Sequence, residues 1–273
     1  MSSYQYLMVS LETGKRKHVR WPVTESVSML PRFVGRLGVA DAVTIANAAL
    51  GFVAVVVAFV DIDLAARLIL LAAVADGLDG ILARRYGGTP SGPYLDSLAD
   101  VSSFAVAPAV LAFVVVSDGL GRSLETMTLE LALILGVCAL FVAMAITRLG
   151  LYTVYDTASS YTEGIQTTLA ATILGAAILS GVASDRPWII LAITGAFCYL
   201  MVSRIQYPDL LVRDALIMGV VHVLAILVPE FANNSFPFAL LLLGLAYMTL
   251  SPWFYWRDPP ESIDAEVPIG GDG

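Results

Sequence analysis

DGLDGILARRYGGTPSGPYLDSLAD, residues 76–100, carries four aspartates, Asp76, Asp79, Asp96 and Asp100, between two apolar runs. Asp76 and Asp79 stand three apart, and Asp96 and Asp100 four apart, so each pair shares one face of a helix. Between the pairs, RYGGTPSGP is a breaker segment that reverses the chain. The stretch therefore predicts the end of one helix, a tight turn and the start of the next, with two acidic faces turned towards each other.

Outward from this stretch the chain is apolar almost end to end. It is 58% hydrophobic and 14% charged, whereas a soluble domain of 273 residues needs a polar coat. A membrane-spanning helix needs about 20 mainly apolar residues. Segments 39–60, 64–85, 96–117, 128–151, 165–184, 188–205, 214–229 and 236–256 meet that description, the seventh being short. Lipid leaves open backbone groups unsatisfied, so the spans are helices. The predicted fold is an all-α, polytopic membrane helical bundle. Its predicted organisation is a cytoplasmic segment 1–38, a membrane core 39–205, additional spans 206–256 and an acidic, disordered tail 257–273.

The basic residues set an orientation. With the N-terminus in the cytoplasm, Lys15, Arg16, Lys17, Arg20, Arg32, Arg36, Arg84, Arg85, Arg148, Arg204, Arg213 and Arg257 fall on one side, against Arg67, Arg122 and Arg186 on the other. This bias puts the 84–95 loop in the cytoplasm, on a multi-pass protein of the cell membrane. Residues 1–28 have no signal-peptide core. GKRKHVR is either a solvated segment or a contact to anionic headgroups. Translation starts at Met1 or at Met29, and SMLPRFVGRLG, residues 28–38, suits an interfacial helix. Cys138 and Cys198 lie in apolar helices as small core residues. His222 is a hydrogen-bonded packing residue or a proton relay. The net charge is −8, and only Lys15 and Lys17 are lysines among fifteen Lys and Arg. That pattern suits a high-salt, archaeal cytoplasm, and no nucleic-acid partner is expected.

Four carboxylates brought together repel each other, and burial raises the cost of their charge. A divalent cation removes the conflict, and hard oxygen ligands suit Mg²⁺ or Mn²⁺. Helix caps at a membrane boundary account for one aspartate more easily than for four so spaced. An acid-lined cation transporter shares the acids but not their companions. Gly80 and Ala83 leave room beside the second helix, and Arg84 offers a fork for phosphate oxygens. Together these residues describe a diphosphate site.

The pattern Asp76-x-x-Asp79-Gly80-x-x-Ala83-Arg84, then Gly92-x-x-x-Asp96-x-x-x-Asp100, resembles the CDP-alcohol phosphotransferase signature at every position. The resemblance implies transfer of a phosphatidyl-type group from a CDP-linked lipid to an alcohol, with release of CMP. It also implies a homodimer, each subunit having a six-helix catalytic core plus about two further spans. VTIANAALGF, with Asn47 and Gly51, DSLADVSSFAVAPAVL, and RLGLY followed by GIQTTLAA resemble integral-membrane phosphatidylserine synthases. Leu151 and Gln166 depart from that pattern, where a second Arg and a Pro are common. The leading expectation is a serine acceptor and a phosphatidyl or archaetidyl donor. Glycerol phosphate or inositol phosphate is the alternative acceptor.

Physical roles follow for the matched residues. Asp76, Asp79 and Asp96 suit a first metal, with Asp100 helping to hold a second. Asp100 is also the candidate general base for the acceptor hydroxyl, and its two roles stay open. Gly80, Ala83, Arg84 and Gly92 line the CDP pocket. Asn47 bonds the nucleotide or a neighbouring helix. Arg148 pairs with the serine carboxylate or snorkels as a boundary charge.

Overall fold

The computed structural model describes residues 35–121, 126–156, 161–182, 186–208, 210 and 212–255. The segment GKRKHVR, His18, the alternative start at Met29 and the tail 257–273 lie outside them. Of the interfacial helix expected over 28–38, the described part, 35–38, is a turn with Gly35 at φ +75°.

Helices account for nearly all of the described chain. They are α1 (Val39–Val57), α2 (Ile62–Tyr86), α3 (Gly92–Asp100), α4 (Ala107–Gly119), α5 (Leu129–Leu151), α6 (Thr167–Leu179), α7 (Trp188–Leu200), α8 (Val212–Leu227) and α9 (Ser235–Phe254). A π-helical turn, Val101–Val106, joins α3 to α4 as one rod, and a second, Tyr152–Asp156, extends α5. The chain is thus the all-α membrane bundle that its composition predicts. Local chemistry sets the helix ends. Asp61 accepts from the Leu64 amide at 2.9 Å to start α2, and Thr128 accepts from Leu131 at 3.2 Å to start α5, each satisfying an orphan donor. Gly87, at φ +88°, stops α2 just past Arg84 and Arg85. Pro93 then opens α3, where a missing amide costs nothing.

Among the described residues, four helices are long and apolar enough to cross a membrane: Val39–Val57, Gly92–Gly119, Leu129–Val154 and Ser235–Phe254. Helix α2 is of spanning length, at 25 residues, but carries the acids and Arg67, Arg84 and Arg85. The apolar segments 165–184 and 188–205 turn out to hold helices of only 13 residues each. That is about 20 Å of helix, short of the roughly 30 Å hydrocarbon layer. Helix α6 ends where Gly181 takes φ +75°. The chain beyond Leu200 leaves helical geometry to form β2 (Gln206–Pro208), which pairs antiparallel with β1 (Tyr161–Glu163). This strand pair was not expected from the sequence.

Helix α6 is the centre of the bundle, with eleven of its residues buried from Thr167 to Leu179. It packs against α2, α4, α5, α7 and α9. Small residues let neighbours approach closely: a side chain at Gly175 would stand 3.3 Å from Leu70 of α2, and one at Gly244 of α9 would stand 2.9 Å from Ile173. The π-turn after Asp100 presses just as closely on α1. Ser102 and Ser103 donate to the carbonyls of Ala48 and Asn47 at 3.0 and 2.8 Å. A Cβ on Gly51 would stand 2.7 Å from the Ser102 and Ser103 backbone. Cys138 and Cys198 are buried free thiols, and Cys198 donates to the Thr194 carbonyl. His222 of α8 is buried, and its Nε2 has no hydrogen-bond partner among the described residues.

Candidate active site

The turn between α2 and α3 brings the two acidic faces together. One carboxylate oxygen from each of Asp76, Asp96 and Asp100 lies within 4.8 Å of the others. Asp79 sits beside this cluster and faces α1, where the Thr44 hydroxyl donates to its Oδ2 at 2.6 Å. Asp76 is approached from α6 by the Thr168 hydroxyl at 3.4 Å. Asp100 is buried, and its Oδ1 has no hydrogen-bond partner among the described residues. Three carboxylates so crowded repel each other, and a cation between them would relieve that repulsion. The donor set, all carboxylate oxygen, fits a hard divalent metal.

A cavity of about 300 Å³ opens beside the acids. Gly80, Ala83 and Gly92 form part of its wall, together with Asp79 and Asp96. The absence of a side chain at Gly80 and Gly92 is what leaves the space, and the Arg84 guanidinium folds back over Gly80, 3.5 Å from where a Cβ would stand. Arg84 itself is exposed and is not part of the wall. Asn47 is fully buried one turn below Thr44, and its carboxamide has no partner among the described residues. The interhelical bond expected for it is not made by its side chain among the described residues.

Arg148, at the end of α5, is buried and near enough to Asp100 for their charges to interact. Its Nη1 donates to Thr167 Oγ1 at 3.5 Å, and its guanidinium lies 5.1 Å above the Tyr152 ring, a cation–π distance. Tyr152 and Thr153, in the π-turn that follows, reach the cavity wall, where Thr153 and Ser97 share a 2.6 Å hydrogen bond.

Sequence reasoning missed the polar groups that α1 and the turn contribute. Asp41, 2% exposed, accepts from the Gly38 amide at 2.7 Å and from Thr89 at 2.8 Å, pinning the α2–α3 turn to α1. Asp41 and Thr44, three apart in an apolar span, were the available signal; so was the Thr167-Thr168 pair opening α6.

The site is that of a membrane enzyme working on a diphosphate, and the comparisons agree. The sequence model of the CDP-alcohol phosphatidyltransferase family matches residues 37–202, and the chain belongs to that family. Among similar proteins, archaetidylserine synthase of Methanothermobacter thermautotrophicus is 30% identical over 172 residues, 62% of this chain and 68% of that protein. CDP-diacylglycerol–serine O-phosphatidyltransferase of Helicobacter pylori is 30% identical over 154 residues, 54% of this chain and 61% of that protein. The present chain thus spans less than two thirds of the second relative. The protein is a CDP-alcohol phosphatidyltransferase of phospholipid synthesis, and its family uses a divalent metal with a CDP-linked lipid and an alcohol.

Proposed function

We propose that the alcohol is L-serine, and that the chain transfers a phosphatidyl or archaetidyl group from a CDP-linked lipid to its hydroxyl. The observation that carries this reading is the buried Arg148 beside Asp100. Serine brings a carboxylate and an ammonium, so one planar fork and the neighbouring acids balance its charge. A phosphorylated alcohol calls for a denser basic pocket than Arg148 provides. Both relatives, an archaetidylserine synthase and a serine O-phosphatidyltransferase, are named for serine as well.

In this reading Asp76, Asp79, Asp96 and Asp100 hold divalent metal, Mg²⁺ or Mn²⁺. Bound there, the metal offsets charge on the diphosphate and on departing CMP. Gly80, Ala83 and Gly92 admit the CDP moiety, and Arg84 swings from Gly80 to its phosphate oxygens. Arg148 orients serine by its carboxylate so that the hydroxyl faces the donor. Asp100 takes the hydroxyl proton, the serine oxygen bonds to the lipid-bearing phosphorus, and the bond from that phosphorus to the CMP oxygen breaks. Thr44 keeps Asp79 aimed during this exchange, and the Asp41–Thr89 contact keeps the turn closed over the nucleotide side.

The enzyme in this reading is a homodimer of the cell membrane with its site facing the cytoplasm. In support, Arg84 and Arg85 lie in the last turn of α2 and Arg148 in that of α5, whereas Arg67 lies near the start of α2. Residues 39–205 serve as the catalytic core and 206–256 as additional spans. The test is CMP release by purified protein with CDP-lipid and a panel of alcohols. Release with serine supports the reading; release only with glycerol phosphate or inositol phosphate defeats it.

A further inference from the structure

The last two helices reach the acceptor side of the site through a chain of named contacts. The Tyr247 hydroxyl of α9, buried, donates to the Pro208 carbonyl of β2 at 2.6 Å. β2 pairs with β1, Thr162 opposite Tyr207 and Glu163 opposite Gln206. Immediately after β1, the Gly164 amide donates to the Ile205 carbonyl at 2.8 Å and the Ile165 amide to that of Leu200 at 3.0 Å. Gly164 holds φ +73°, and a Cβ there would stand 2.2 Å from the Met201 carbonyl oxygen, so only glycine lets the two segments close. Two residues beyond Ile165 begins α6, whose first residues are Thr167, touching Arg148, and Thr168, touching Asp76. At the far end of the chain, Tyr247 packs edge-on against Tyr255, and the Tyr255 hydroxyl bonds Asp214 of α8.

We infer that α8 and α9 act as a strap, with Tyr247 as a positioning residue that sets the α6 N-terminus and thereby the acceptor half of the site. This inference rests on the acceptor-side reading of Arg148 given above. The alternative is that α9 merely adds bulk, held by the Gly244–Ile173 contact deep in the bundle. The two differ in where a lost hydroxyl is felt. Removing bulk contacts weakens the whole protein, whereas loosening Pro208 shifts the α6 N-terminus, with Thr167 on Arg148 and Thr168 on Asp76, and leaves α1 and α3 in place.

The experiment is Tyr247→Phe in the full chain, assayed for CMP release with each substrate varied in turn. One neutral hydrogen bond corresponds to about a three- to tenfold effect, so the KM for the alcohol should rise by that factor. The KM for CDP-lipid should stay within about twofold. Gly164→Ala should shift the same KM further in the same direction, and Tyr247→Phe decides the matter if that variant does not fold. Unchanged kinetics in Tyr247→Phe, or equal changes for both substrates, overturn the strap. The assay uses whichever alcohol the wild type accepts, so a failure of the serine reading is seen separately, in the wild-type panel.

Discussion

Around the carboxylate cluster the acids come from one continuous stretch, residues 76–100, while around Arg148 the groups come from α5, α6 and a strand pair whose partners lie 43 to 47 residues apart in sequence. The donor side is therefore local. Two helix faces and one turn bring Asp76, Asp96 and Asp100 within 4.8 Å, and helical periodicity alone accounts for the meeting. The acceptor side is assembled from distant parts, and each contact depends on how α6 is seated. A site built this way keeps its chemistry fixed while its alcohol specificity rests on contacts that separate residues can retune.

The comparison breaks first on the acids. Asp76→Asn and Asp96→Asn keep side-chain size and lose the charge that holds metal. CMP release should fall by about three orders of magnitude or more, since metal stabilisation is worth several kcal/mol. Full release by either variant in chelator would contradict the metal site.

Asp100 stands where the two sides meet, so its replacement sharpens the division. Asp100→Asn should lower turnover by about a hundred- to ten-thousandfold, the range of general base catalysis. CDP-lipid binding, read by equilibrium titration, should survive if Asp100 is chiefly the base. Parallel loss of binding and rate would assign it to the metal instead.

A smaller effect belongs to Thr44→Val, which deletes the 2.6 Å bond to Asp79. Outer partners of metal ligands contribute about tenfold or more to affinity. The Mn²⁺ concentration for half-maximal binding, measured by titration without substrate, should rise by about that factor. An unchanged titration would mean that Asp79 needs no such support.

Gly51→Ala tests packing rather than chemistry. Its Cβ meets the Ser102 and Ser103 backbone at 2.7 Å, which cannot move as a flexible side chain does. Overpacking of this kind costs about 1–3 kcal/mol, visible as a lower unfolding temperature in detergent. Unaltered stability would show that the π-turn yields.

The sequence made the donor side legible because its spacing rules operate within two turns of helix. Asp76, Asp79, Asp96 and Asp100 could be paired on faces without knowing any tertiary contact, and Gly80, Ala83 and Gly92 followed from the space a ligand needs. The partners of those residues were hidden. Thr44 reaches Asp79 across 35 residues and Thr89 reaches Asp41 across 48, and periodicity says nothing about such distances. The class of fold was plain from apolar content, yet helix ends were not. The apolar runs 165–184 and 188–205 continue past points where Gly181 and the β2 pairing stop α6 and α7, because hydropathy measures solvent preference rather than backbone geometry. Three-residue strands such as Tyr161–Glu163 carry too little pattern to stand out. The interhelical alternative read for Asn47 is not realised, since its carboxamide lies buried without a partner among the described residues.

The most direct test of the donor and acceptor division is the kinetics of Arg148→Lys. The substitution keeps the charge and removes the planar fork. A charged hydrogen bond is worth about 1.5–3 kcal/mol, or roughly ten- to a hundredfold. The account predicts that the KM for serine rises by that order while the KM for CDP-lipid stays within about twofold. A rise confined to the KM for CDP-lipid would place Arg148 on the donor side and contradict the account.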